Sequence, residues 1–166
     1  MKMGYKAPGG QSSFRDADGR LYMVYHQRFD KTQEDHEPRI HQMFATRDGW
    51  LTMAPFQTNG EEKLSDAGFS RDDICGTFYM INHGLKINSD VIKAEASTFS
   101  TDGNISGAMS GTFEVEEGTS FITMDIDGHK YEGVIVDMID EAGNNVRTIS
   151  AIGDDNKSIW GVHYIK

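Results

Sequence analysis

Tight-turn chemistry recurs along this chain at intervals that suit β-hairpins. Asp18-Gly19, Asp48-Gly49, Thr101-Asp102-Gly103-Asn104, Asp127-Gly128, Ala142-Gly143-Asn144-Asn145 and Gly153-Asp154-Asp155-Asn156 are all combinations that tolerate positive φ. In the second part of the chain they fall between short runs rich in β-branched and aromatic residues, roughly eight strands with hairpin turns about every 8–12 residues. That spacing argues for an antiparallel barrel or sandwich. No stretch keeps a helical period for more than about two turns, so the fold class is all-β.

Four strands are expected first, over 12–15, 20–26, 37–46 and 50–54, the usual content of one propeller blade. Residues 57–73 are polar and hold neither period, which reads as a linker between modules. Eight further strands are expected over 76–82, 91–99, 104–106, 112–116, 120–125, 130–139, 146–152 and 157–165. In Phe121-Ile122-Thr123-Met124-Asp125-Ile126 and Tyr131-Glu132-Gly133-Val134-Ile135-Val136-Asp137-Met138 one alternate set is the more apolar, as when one face lines an interior. A barrel of this size normally fills its centre with side chains. The expected organisation is therefore an incomplete blade over 1–60, a linker over 61–75 and a small lipocalin-like antiparallel barrel over 76–166.

Charge separates the two parts more sharply than hydrophobicity does. Residues 1–65 hold nine basic and nine acidic side chains, whereas residues 66–166 hold seven and seventeen, so the whole net charge of −10 lies on the second part. An acidic surface repels phosphate backbones and anionic lipid, which excludes nucleic acid and membrane as expected partners. Cys75 is the single cysteine, so no intrachain disulfide or cysteine metal cluster can form. No window approaches the roughly 18 apolar residues of a membrane span.

Several segments, in order and spacing, resemble the arabinan-degrading members of glycoside hydrolase family 43. They are Gly9-Gly10-Gln11-Ser12, Tyr22 to Arg28, His36 to Gln42 and Asp48 to Pro55, followed by Gly76 to Gly84, Asp102 to Gly107, Gly111-Thr112-Phe113 and Ile159-Trp160-Gly161. The resemblance implies the last blade of a five-bladed β-propeller and the accessory barrel of an extracellular endo-1,5-α-L-arabinanase. It further implies inverting hydrolysis of α-1,5-arabinan, with two carboxylates about 6.5–9.5 Å apart across the scissile bond. None of the family's catalytic carboxylates maps onto this chain, so no catalytic residue is expected here and the chain alone is expected to be inert. The missing blades would lie upstream of Met1 or on another polypeptide. Expected partners are that missing portion, or self-association through residues 1–60, with arabinan as substrate of the complete protein, whose expected location is extracellular or at the cell envelope. A non-catalytic carbohydrate-binding or assembly module is the alternative.

The family holds a cation at the propeller axis through a histidine whose position is taken here by Gly10. No metal ligand is expected in this chain, although calcium remains an expectation for the complete propeller and Gln11 offers an amide oxygen of the right hardness. His26 and Arg28 share a strand face and are the expected substrate-binding pair. His36 and His41, five residues apart, should point to opposite faces and hydrogen-bond locally rather than hold a metal. The adjacent carboxylates Asp72-Asp73, Glu116-Glu117 and Asp154-Asp155 suit solvated turns better than acid–base pairs. Tyr22, Tyr25, Trp50 and Trp160 are expected to fill cores, with sugar stacking as the other use of such rings.

Overall fold

The computed structural model describes residues 5–29, 36–86 and 92–165. Four strands, β1 (Tyr5–Arg15), β2 (Leu21–Phe29), β3 (His36–Ala45) and β4 (Leu51–Met53), form an antiparallel sheet in sequence order. One helical turn, α1 (Arg71–Ile74), precedes eight strands: β5 (Gly76–Asn82), β6 (Glu95–Phe99), β7 (Asn104–Gly107), β8 (Gly111–Val115), β9 (Phe121–Ile126), β10 (His129–Ile139), β11 (Asn145–Gly153) and β12 (Ser158–Tyr164). Each of the eight pairs antiparallel with its sequence neighbours, and β12 pairs with β5 to close the barrel. All twelve expected strands are present. β1 begins at Tyr5 rather than residue 12, with register shifts on both sides of Gly9, and β6 begins at Glu95 rather than residue 91, which lies outside the described residues.

The barrel interior is packed. Phe78 and Met80 of β5, Phe99 of β6, Phe113 of β8, Met124 of β9, Tyr131 and Ile135 of β10 and Ile149 of β11 are buried in one cluster, each contributing about 1.5–3 kcal/mol by leaving water. Small residues make room for the large ones: a Cβ on Gly161 would meet the Met80 sulfur at 2.5 Å and one on Gly153 the Tyr131 ring at 2.6 Å. No ligand space of the lipocalin kind is needed to account for this interior.

Strands β10 and β11 are buried on both faces. On the outer side Val134, Val136, Met138 and Val146 pack with Phe44 of β3, Ala54 and the partly buried Phe56, Leu64, Phe121 and Val162. The first sheet thus rests on the outside of the barrel. Trp160 Nε1 donates to the Met53 carbonyl at 2.7 Å, the Arg39 guanidinium donates to Glu141 at 2.6 Å, and Arg47 pairs with Glu116 while lying 4.1 Å over the Phe121 ring. The barrel therefore covers part of the apolar surface of residues 1–60 that the sequence leaves without cover. Phe14, Trp50 and Leu51 stay open, at 45%, 63% and 46% exposure, so Trp50, expected as core, is a surface residue.

The stretch expected as a linker is folded against the barrel. The Thr58 amide donates to the Ile40 carbonyl and continues the sheet, while Ser65 N donates to the Ser120 hydroxyl. Phe69 exchanges backbone hydrogen bonds with Gly118 and Thr119 and enters the barrel core. Gly68 permits this approach: its φ is +70° and an added Cβ would fall 1.9 Å from the Gly118 carbonyl carbon. Ser70 and Asp73 cap the start of α1 with a reciprocal capping box. Arg147 ties that turn to the barrel end by donating to the Asp73 carbonyl and to both Asp137 oxygens, with its guanidinium 4.6 Å over Phe69. Among the described residues no helix is long and apolar enough to cross a membrane.

Candidate functional site

His26 and Arg28, the pair expected to touch substrate, are both half-buried on β2, opposite Pro38 and His36 of β3. The His26 ring lies against the β1 bulge: a Cβ on Gly9 would stand 3.3 Å, and one on Gly10 3.1 Å, from imidazole atoms. The ring of the exposed His36 also lies beside it, centroids 5.2 Å apart. Gly10 has φ +61°, so the position matching the family's cation ligand combines the absence of a side chain with a left-handed backbone against an imidazole. Gln11 is exposed. The residues present do not fit a side-chain-ligated cation at position 10.

His36 and His41 part as the strand period requires. His41 is buried, with Nδ1 2.8 Å from the Ala54 carbonyl and Nε2 3.1 Å from the Tyr25 hydroxyl. A carbonyl only accepts, so Nδ1 carries the proton and Nε2 accepts from the phenol. Burial pushes this imidazole below its ordinary pKa. Its ring stacks at 6.4 Å and 8° on Trp160, and the ring of His83 meets Trp160 edge-on at 4.3 Å. His83 is also held below the usual histidine range by burial, and its Nε2 has no partner among the described residues.

Beside this junction the outer barrel face opens into a groove of about 550 Å³. It is lined by Pro55 and Phe56 from the segment after β4, Tyr79 and Ile81 of β5, Ala94, and Trp160, Val162 and Tyr164 along β12. Val162 pairs opposite Tyr79, and the Tyr79 and Tyr164 rings meet edge to face at 6.2 Å and 74°. Both tyrosines are about half exposed. Trp160 stands out in the sequence, whereas Tyr79, Tyr164 and the groove do not, because β5 and β12 are the two ends of the barrel sequence.

The other cluster of liganding side chains is at the β11–β12 turn. His129 Nδ1 lies 2.9 Å from Asp154, its Nε2 3.9 Å from Asp155, and Lys157 Nζ 2.5 Å from Asp155. The Lys157 ammonium already supplies the positive charge there and holds the Asp155 carboxyl below its ordinary range. Burial, with Asp155 nearby, lifts the Tyr131 phenol to about 12. Of the adjacent acidic pairs, Asp73 caps α1, Glu116 pairs with Arg47 and Glu117 accepts from the Arg71 amide. Cys75 is partly buried, donates to the Arg71 carbonyl at 3.3 Å, and its thiol is pushed up by burial, the opposite of an activated cysteine.

A closed eight-stranded meander with a filled interior, fronted by a four-stranded sheet, defines a lipocalin-like barrel domain. The family model of the glycoside hydrolase 43 C-terminal lipocalin-like domain matches residues 55–161, and the chain belongs to that family. It is 34% identical over 160 residues to the extracellular endo-α-(1→5)-L-arabinanase 2 of Bacillus subtilis (strain 168), covering 95% of this chain and 33% of that protein. It is 31% identical over 165 residues to the extracellular endo-α-(1→5)-L-arabinanase of Thermotoga petrophila, covering 96% and 34%. Among solved structures, the family 43 glycoside hydrolase YxiA of Bacillus licheniformis superposes with a TM-score of 0.86 at 32% identity, over 97% of this chain and 36% of that one. The endo-1,5-α-L-arabinanase of Thermotoga petrophila RKU-1 superposes with a TM-score of 0.86 at 29% identity, over 98% and 36%. The chain thus spans about a third of the length of these relatives.

Proposed function

We propose that this chain serves as the C-terminal part of an arabinan-degrading glycoside hydrolase, in which inverting cleavage of α-1,5-arabinan is performed by carboxylates supplied from outside these 166 residues. The observation that carries this reading is the joint match of sheet and barrel: the relatives align over 95–96% of this chain and both are endo-arabinanases by name. The open apolar side chains Phe14, Trp50 and Leu51 support it, since a blade expects neighbours on its faces. In the assembled protein His26 and Arg28 reach either the sugar or an upstream carboxylate, and any axial cation, calcium included, takes its ligands from the other blades. Secretion follows the relatives, which are extracellular by name.

The test is hydrolysis of linear arabinan by the chain alone and by a fusion of the preceding two-thirds of the Bacillus subtilis relative to this chain. The expected result is no turnover for the first and reducing-sugar release by the second. Turnover by the 166-residue chain, or an inactive fusion that folds, would overturn the proposal.

A further inference from the structure

We propose that the groove between Phe56 and the outer face of β5 and β12 is a docking subsite for a neutral polysaccharide chain. Among the described residues no charged side chain lines it: its walls are Phe56, Tyr79, Ile81, Trp160, Val162 and Tyr164, with Pro55 and Ala94. On a protein of net charge −10 whose excess acid lies on this same second part, an uncharged strip is the place where a neutral polyol meets no ionic desolvation cost. Aromatic rings suit such a ligand twice over, because the C–H face of a sugar ring packs on the negative π-face while a phenol at the rim exchanges hydrogen bonds with the sugar hydroxyls. Tyr79 and Tyr164 supply that combination. They are about half exposed, perpendicular to each other, and their hydroxyls bond to no described residue.

The floor is rigid, as a subsite requires. Trp160 is fixed by its hydrogen bond to Met53 and by the rings of His41 and His83, and the partly buried Phe56 and Val162 pack against the buried cluster that joins sheet to barrel. The groove is therefore continuous with an existing interface, and its shape depends on both modules. An apolar surface of this kind could otherwise receive a second copy of the chain. Among the described residues the tyrosine hydroxyls have no partner and no charged group forms a polar rim, which favours the sugar. Arabinan as the first ligand to try rests on the function proposed above.

Affinity electrophoresis of the whole chain in gels containing linear α-1,5-arabinan, dextran or xylan, with light scattering in parallel, tests the assignment. The wild type should be retarded by at least one of these, and Tyr79→Ala with Tyr164→Ala should weaken retardation at least tenfold at unchanged circular dichroism, Tyr→Phe variants retaining part of it. Retardation by dextran or xylan but not arabinan keeps the groove and removes the arabinan reading. No retardation by any of the three, equal retardation of wild type and double variant, or a double variant that changes only the molar mass, overturns the subsite. The hydrolysis test of the fusion is unaffected by these outcomes.

Discussion

Truncating Phe44 measures how far sheet and barrel act as one folding unit. The ring comes from β3 but is buried among Val134, Val136, Met138 and Val146 of the barrel. Phe→Ala at a buried position costs about 3–5 kcal/mol, the lower value applying where one wall can relax into the cavity. Here one wall is a four-stranded sheet lying on the barrel, so about 3 kcal/mol is expected. With a urea dependence of about 2 kcal/mol per M, the midpoint should fall by roughly 1.5 M. Far-UV circular dichroism follows the strands, and fluorescence in a Trp50→Phe background follows Trp160 at the junction. If the modules unfold together both signals shift by the same amount, whereas Leu51→Ala, at a 46% exposed position of β4, should move them by well under 1 kcal/mol. A Phe44→Ala protein whose main strand transition stays within about 0.3 M of wild type, or in which the two signals separate, would refute the reasoning that the sheet stabilises the barrel.

The two junction histidines should make stability depend on pH. Burial holds His41 and His83 below their ordinary pKa. The unfolded chain binds protons near pH 6.5 that the folded chain refuses, so stability is full above that pH and falls as the solution is acidified through it. The urea midpoint should drop between pH 7.5 and 5.5 in the wild type and stay flatter in His41→Gln/His83→Gln; equal losses would exclude these imidazoles as the cause. At Gly68, where a Cβ would meet the Gly118 backbone at 1.9 Å and φ is +70°, Ala should destabilise by more than about 3 kcal/mol. Gly60→Ala, with an equally positive φ but no atom within 4 Å, should cost only about 1 kcal/mol, and similar midpoints for the two variants would contradict the close approach.

The strands were legible because their turns are local: Asp127-Gly128 turns with φ of 53° and 82° whatever the rest of the chain does. Packing across the chain was less so. Residues 57–73 read as polar linker because Leu64 and Phe69 are isolated in sequence, yet Phe69 enters the barrel core and Leu64 packs at the junction. Two lone apolar residues in a polar stretch were the available signal. A second signal was Gly133-Val134-Ile135-Val136, which does not alternate cleanly. An uninterrupted apolar run means burial on both faces, and the outer face of β10 is where the first sheet rests. For the candidate sites, strand parity separated His36 from His41 correctly, but proximity in space was out of reach. His129 beside Asp154 and Tyr79 beside Tyr164 are joined by a hairpin return and by barrel closure respectively, neither of which a linear spacing encodes.

The two-sided burial of β10 and β11 also fixes how the modules specify each other. A four-stranded sheet with one short strand has little core of its own, and here its cover is the barrel wall. That wall in turn carries Val134, Val136, Met138 and Val146 on the outside, residues that would be exposed on a barrel built to stand alone. Neither surface is tuned for solvent. Replacing Val136 by Asp should therefore damage sheet and barrel together, although the position lies outside the barrel and far in sequence from the sheet. The barrel thus covers one side of the sheet and leaves Phe14 of β1, Leu51 of β4 and the adjoining Trp50 open to solvent.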